Sequence, residues 1–217
     1  EMLTRDWSSD VCSSDLNGHD LMRITGGLAR GRRLLGPKGD QQLLRPTCDR
    51  VREALFNILG SRVRHAVVLE LFAGTGAWGI EALSRGARAV LFIDEAMASG
   101  RLIATNVSSC LNAGVQAGFL RLHLDKKSEL AFLSGHIPPP HRFDLVFMDP
   151  PYGKNLAADL LPVVEGAHFL APNALVVAEE HQSILLPRRI GALRLQDRRR
   201  YGASSLWLYT VCQPNGA

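Results

Sequence analysis

What the chain lacks narrows it first. Its four cysteines, Cys12, Cys48, Cys110 and Cys212, stand far apart with no CxxC pair. Neither a zinc site nor a disulfide framework is therefore expected, and a reducing cytoplasm fits better. No apolar run reaches the roughly 18 residues that cross a bilayer, which leaves no membrane span to expect. There is no HExxH pair and no GxSxG elbow, the marks of zinc peptidases and serine hydrolases. The 20 glycines follow no three-residue period and hydrophobic residues make up 46% of the chain, so collagen-like and disordered classes drop out. At 217 residues there is room for one well-buried core with a small appendage, and too little for two catalytic domains.

Charge is present in excess only locally. Residues 22–64 hold ten Lys/Arg against three acids, and residues 188–200 hold six arginines against Asp197. The rest of the chain is acidic, although the net charge is +4. Two basic patches on an acidic body form a footprint for a polyanion such as nucleic acid.

The first 21 residues read differently from the rest. SSD occurs twice, no helical or strand period appears, and the basic start and apolar stretch of a signal peptide are missing. RDWSSDVCSSDL resembles translated sequencing-adapter DNA. The expectation is a non-native or disordered extension over residues 1–21, with the natural start at Met22.

From Arg23 the segment RITGGLARGRRLLGPKG predicts a hairpin or two short strands carrying Arg30, Arg32 and Arg33. LRPTCDRVREALFNILG then predicts a helix capped by Asp49 or Thr47. Its apolar stripe is Val51, Leu55, Ile58 and Leu59, with Arg50 and Arg52 off the stripe and Gly60 ending it. Beyond it, strands at Ala66–Leu71, Ala89–Asp94, Phe119–His123, Phe143–Met148 and Ala174–Glu179 alternate with helices at about Ala77–Arg85, up to Leu111, and near Leu156–Phe169. Two more strands, Ala192–Gln196 and Leu206–Val211, close the chain without a helix between them. Continuous aliphatic strands separated by helices predict an α/β fold with a parallel sheet covered on both faces, ending in an antiparallel pair.

Two motifs carry chemistry. The first, Glu70-Leu-Phe-Ala-Gly74-Thr-Gly76-Ala-Trp-Gly79, meets the first helix where glycines let a ligand approach the backbone and the helix N-terminus offers amide donors. GxGxxG is literally present, so a dinucleotide fold has to be weighed. Asp94, ending the second strand, can accept both hydroxyls of an adenosine ribose. Glu70 suits the ammonium of a methionine moiety better than a pyrophosphate. Asp125 can reach an adenine amino group or serve as an ordinary helix cap.

The second motif, Asp149-Pro150-Pro151-Tyr152, follows a central strand at its carboxyl end, where open α/β sheets bind ligands. Two prolines stiffen the loop and withdraw two N–H donors, leaving oxygens to face an exocyclic amine. The Asp149 carboxylate and the Pro150 carbonyl can take its protons, and Tyr152 offers a face on which an extruded base stacks.

MRITGGLARGRRL, LRPTCDRVREALFNIL, LELFAGTGAWGIEALSRGA, the acid of FID, and FMDPPY occur together in this order. Together they resemble the bacterial 16S ribosomal RNA (guanine-N2) methyltransferase family called RsmD, whose target is guanine 966 in rRNA numbering. The likeness runs from Met22 to about Val211. It implies a class I, Rossmann-like methyltransferase fold with a seven-stranded, mostly parallel sheet, an antiparallel last strand and a small basic N-terminal extension. It divides the chain into a basic hairpin and helix at 22–64 and a catalytic domain at 65–217. The cofactor implied is S-adenosylmethionine, lined by Glu70, Phe72, Ala73, Gly74, Thr75, Gly76, Asp94, Glu95 and Asp125. The guanine would be held by Asp149, Pro150, Pro151 and Tyr152. Arg23, Arg30, Arg32, Arg33, Arg45, Arg50 and Arg52 would grip RNA phosphates of the small ribosomal subunit or its assembly intermediate. No metal is expected, and a cytoplasmic monomer is. The rival readings are a DNA adenine-N6 methyltransferase, for which a separate target-recognition domain is missing, an NAD-binding oxidoreductase, and a non-catalytic RNA-binding assembly factor.

Overall fold

The computed structural model describes residues 22–37, 46–112, 114–124, 142–151 and 155–212. The extension 1–21, Arg45, Asp125, the proline loop 138–140 and Tyr152 lie outside them. Helix α1 spans Pro46–Leu59 and runs into a 3₁₀ turn at Gly60–Val63, beginning at Gly60 with φ +52°. There follow β1 (Val67–Leu71), α2 (Ala77–Ser84), β2 (Ala89–Asp94), α3 (Met97–Cys110), β3 (Gln116–Arg121) and β4 (Phe143–Met148). Helix α4 (Leu156–Gly166), β5 (Leu170–His181), β6 (Arg189–Ile190), β7 (Leu193–Tyr201) and β8 (Ser204–Val211) complete the order.

The strands form one sheet in the order β3-β2-β1-β4-β5-β8-β7-β6. Strands β1 to β5 pair in parallel, and β8 lies antiparallel between β5 and β7. Among the described residues the sheet has eight strands instead of seven because Arg189–Ile190 adds a two-residue edge, too short to leave an alternation in the sequence.

Period-2 alternation splits the apolar residues into two cores. Val68, Val90, Phe92, Phe147 and Val177 face a layer holding α1, α2, α3 and the N-terminal segment. Leu69, Leu71, Val146, Met148 and Val176 face α4, which supplies Leu160, Leu161 and Val164. Glu70 shares the face of Val68, so its side chain points under α2 rather than into the second core.

The N-terminal segment makes a small antiparallel loop bridged at Arg23 and Arg33. It is built into the first core, with Ile24, Ala29 and Leu34 buried. On α1, Val51, Leu55 and Leu59 are buried as the stripe predicts, but Phe56 is buried too and Ile58 is 42% exposed. The stripe is therefore turned by about one residue from its expected centre.

Candidate active site at the carboxyl ends of the strands

The site forms where β1, β2, β4 and β5 end side by side. Leu71 is in register with Ile93 and Met148, and Met148 with Ala178. This brings together the turns after β1 and β2, the Asp149–Pro150–Pro151 segment and the acids ending β5.

The turn after β1 reverses sharply. Phe72, Gly74 and Gly76 have φ of +58°, +50° and +75°, and such a value at a bulky residue like Phe72 is a backbone outlier of the kind that gathers at ligand sites. The turn is held by Ala73 N–H donating to Ile93 O at 3.0 Å and Gly76 N–H to Ala73 O at 2.6 Å. Gly79 and Gly74 do different work. A Cβ on Gly79 would come within 2.5 Å of Phe92 and 2.7 Å of Glu70, so this residue sets how closely α2 packs on the sheet. A Cβ on Gly74 would meet nothing nearer than the Phe72 carbonyl oxygen at 3.9 Å, leaving an open face where a ligand can lie against the backbone.

Asp94 receives Gly74 N–H at 2.9 Å on one oxygen and Ala96 N–H at 2.9 Å on the other. It joins the glycine turn to the start of α3 and remains partly exposed at the end of β2. Glu95 beside it is exposed, 3.6 Å from His123 Nδ1. Thr75 is partly exposed and Ala73 buried.

Glu70 departs from the expectation of direct ligand contact. It is 2% exposed, and its oxygens accept Trp78 N–H at 3.3 Å and Gly79 N–H at 2.7 Å. The glycines draw α2 so close that its first-turn amides take the carboxylate. Burial raises its pKa from 4.5 to about 8, against those amide bonds and Arg52. Glu70 therefore takes up a proton on folding, and its contribution to stability, full below 4.5, is lost as pH rises through about 8.

Asp149 follows β4, exposed, with Pro150 buried and Pro151 exposed behind it. The protein crowded around the carboxyl pushes its pKa well up, and the charges of Glu179 and Glu180, with that of Glu70 once it ionises, add to this. The Trp78 side chain opposes them. A carboxyl perturbed by burial and by neighbouring acids at a strand end is a candidate functional group.

The predicted phosphate contacts divide. Arg23, Arg30, Arg33 and Arg50 are exposed, as is Arg32, which donates to Ser109 O at 2.8 Å. Arg52 is corrected: it is 2% exposed and its guanidinium binds Asp49 at 2.7 Å, Glu81 at 3.3 Å and the Arg23 carbonyl. In the second basic run, Arg198 lies over the Trp207 ring at 4.2 Å and bonds the Gln182 carbonyl, while Arg199 pairs with Asp197 at 2.7 Å.

A family model described as Conserved hypothetical protein 95 matches residues 22–210. Ribosomal RNA small subunit methyltransferase D of Haemophilus influenzae is 37% identical over 163 residues, which cover 75% of this chain and 80% of that protein. The chain belongs to this family. The solved structure of yhhF from Escherichia coli matches with a TM-score of 0.72 and 32% identity, over 89% of this chain and 99% of that one. SMU.776, complexed with SAH, shares the fold at a TM-score of 0.60 and 18% identity, over 75% of this chain and 49% of that one. The methyltransferase D family thus has here the Rossmann-like methyltransferase fold that the sequence resemblance implied.

Three side chains around this site escaped the sequence reading. Trp78 stands two residues after Gly76, and its place in the first turn of a helix opening on a glycine loop was a usable signal. Asn106, wholly buried on α3, bonds Leu35 through both amide ends and the Thr75 carbonyl at 3.0 Å. Glu81, 0% exposed, accepts from Thr25 N–H, Thr25 Oγ1, Arg52 and Arg85. For the last two, partners up to 71 residues away in sequence leave no spacing to read.

Proposed function

We propose that this chain transfers a methyl group from S-adenosylmethionine to the exocyclic N2 of a guanine in 16S ribosomal RNA, guanine 966 by family resemblance, in the small subunit or its assembly intermediate. The observation that carries the reading is Asp149: an acid with a raised pKa at the carboxyl end of a central strand, followed by two prolines, on the strand next to the one that leads into the glycine turn. Support for the substrate class comes from the ribosomal RNA relative, and for the cofactor from the fold shared with a protein complexed with SAH. The open face at Gly74 and the partly exposed Asp94 fit an adenosine, with Phe72, Thr75 and Glu95 around it. Asp125 would reach its adenine. Glu70 would act by shaping the turn.

When bound, S-adenosylmethionine supplies a methyl already activated by its sulfonium, so the chain needs no strong base. Its task is to position, and well-oriented reactants lower a barrier by up to about 7–11 kcal/mol. Asp149 and the Pro150 carbonyl accept the two amine protons, which localises the nitrogen lone pair and shares positive charge as it develops. Tyr152 supplies a stacking face worth about 1–3 kcal/mol. Residues 65–217 form the catalytic domain. The basic segment 22–64 grips phosphates through Arg23, Arg30, Arg32, Arg33, Arg45 and Arg50. A ribosomal substrate places this work in the cytoplasm.

The test is tritiated methyl transfer to small subunits isolated without the modification, followed by nucleoside analysis. N2-methylguanosine is expected. Label in N6-methyladenine of DNA, or binding of NAD in place of S-adenosylmethionine, would overturn the reading.

A further inference from the structure

The amino ends of the strands, opposite the site, carry a set of cations that the reaction does not use. Strands β2, β1 and β4 are neighbours, and each is entered from an arginine. Arg62 and Arg64 lead into β1, Arg88 into β2 and Arg142 into β4, with His65 beside them. All five are exposed, and among the described residues none of their side chains has a hydrogen-bond or ion-pair partner. The turn that presents them is fixed through its main chain. His65 N–H donates to Gly86 O at 2.7 Å, and Arg88 N–H to Ala66 O at 2.8 Å. The two ends of the sheet thus differ in sign, since Asp94, Asp149 and Glu179 stand at the carboxyl ends of β2, β4 and β5.

Beside these cations lies a cavity of about 280 Å³, whose lining includes Arg62, Arg64, His65, Asp144 and Asn173. One wall is an irregularity in the middle of the sheet. Between Phe143 and Leu145 on β4, the partner on β5 advances from Leu170 to Leu175, so Pro172–Ala174 fall out of register and line the cavity. Such bulges are used to re-aim a side chain. Asn173 and His65 both have positive φ, +61° and +63°, and backbone outliers of this kind gather at binding sites. Asp144 is the one acid in the lining, and its Oδ2 is taken by Val67 N–H at 2.8 Å. Two unpaired guanidiniums, an imidazole and an amide suit a phosphate group, whose oxygens can accept from all of them.

We propose that this cavity seats a backbone phosphate of the RNA, at a nucleotide other than the one methylated. This rests on the ribosomal RNA reading above. The volume lies just below the roughly 300 Å³ at which pockets for whole small ligands begin, so it suits one group of a longer chain. The length of β1 sets it roughly 16 Å from the strand ends where the base reacts. Binding energy gained there is remote from the chemistry and is available to orient the base. The seat therefore favours a structured RNA over a free nucleoside.

The test changes Arg62→Gln and Arg64→Gln together and measures binding to small subunits isolated without the modification, over a range of salt. Affinity should fall about tenfold, and the log–log salt slope should flatten by about 0.7 for each lost contact. Because both side chains are exposed and unpaired, the melting temperature and the affinity for S-adenosylmethionine should not move. Arg62→Lys with Arg64→Lys keeps the charges and should restore the slope. Asn173→Asp adds a negative charge with almost no change of shape and should weaken RNA binding about fivefold. An unchanged slope in the double Gln variant overturns the proposal, as does a loss matched by a lowered melting temperature. If inorganic phosphate shifts the His65 ring resonances while the variants bind RNA normally, the occupant is free phosphate and the RNA assignment falls. A wild type that binds no RNA at all overturns the ribosomal reading together with its phosphate, whereas an unchanged slope in a protein that does methylate RNA overturns the seat alone.

Discussion

Glu81 on α2 and Asp149 just after β4 are both acids, and their surroundings are opposite. Glu81 accepts from Thr25 twice, from Arg52 and from Arg85. Asp149 faces Glu179, Glu70 and Glu180, with the Trp78 side chain opposing them. The first is saturated and holds the N-terminal segment, α1 and α2 together. The second is desolvated first and then crowded by acids, a state that the fold has to sustain with stability drawn from elsewhere. A carboxylate ringed by donors reads as structure, and one ringed by acids at a strand end reads as chemistry.

That contrast can be broken most sharply at Asp149. Asp149→Ala should lower methyl transfer by about 10²–10³-fold, the scale of losing a main electrostatic contact in a reacting site. Its melting temperature should stay at or above that of the wild type, since an unfavourable charge is removed. A lowered melting temperature with full activity would reverse the assignment. Arg52→Ala should do the opposite. It strips Glu81 and Asp49 of a buried partner and should cost about 3–5 kcal/mol in urea unfolding, while residual folded protein keeps its affinity for S-adenosylmethionine. The smallest effect is expected at the surface. Replacing Arg30 and Arg33 together by Ala should leave folding intact and flatten the salt dependence of RNA binding, by about 0.7 in log–log slope for each lost contact to single-stranded RNA. An unchanged slope would move the contact surface toward Arg199–Arg200, since Arg198 is already engaged with Trp207.

Much of the fold was legible because apolar runs state it directly. AVLFID and FDLVFM are strands over the ranges expected, Ala89–Asp94 and Phe143–Met148. The apolar pattern predicts β5 as Ala174–Glu179, since Pro172 and Asn173 interrupt it; the strand runs through both from Leu170 to His181, with Asn173 at φ +61°. β7 was read only to Gln196 and continues through Arg198–Arg200 to Tyr201, past an irregularity in register between Leu195 and Asp197. A charged run on an outer strand carries no hydrophobic signal. At the site, Asp149 and the glycine turn were legible because each motif is local. Arg52 was misassigned because its charge predicted solvent, while its partners are fixed by tertiary packing: Glu81 lies 29 residues away. Glu70 was read as facing a ligand because nothing in the spacing tells how close Gly79 lets α2 come.

Asn106 binds Leu35 with one hand and the Thr75 carbonyl with the other. Ser84 likewise bonds Gly26 and Ala29 from the far end of α2. The basic hairpin is therefore not a removable handle. Lengthening or trimming it would leave the buried Asn106 amide short of partners next to the glycine turn, so any alteration of the hairpin is felt in that turn.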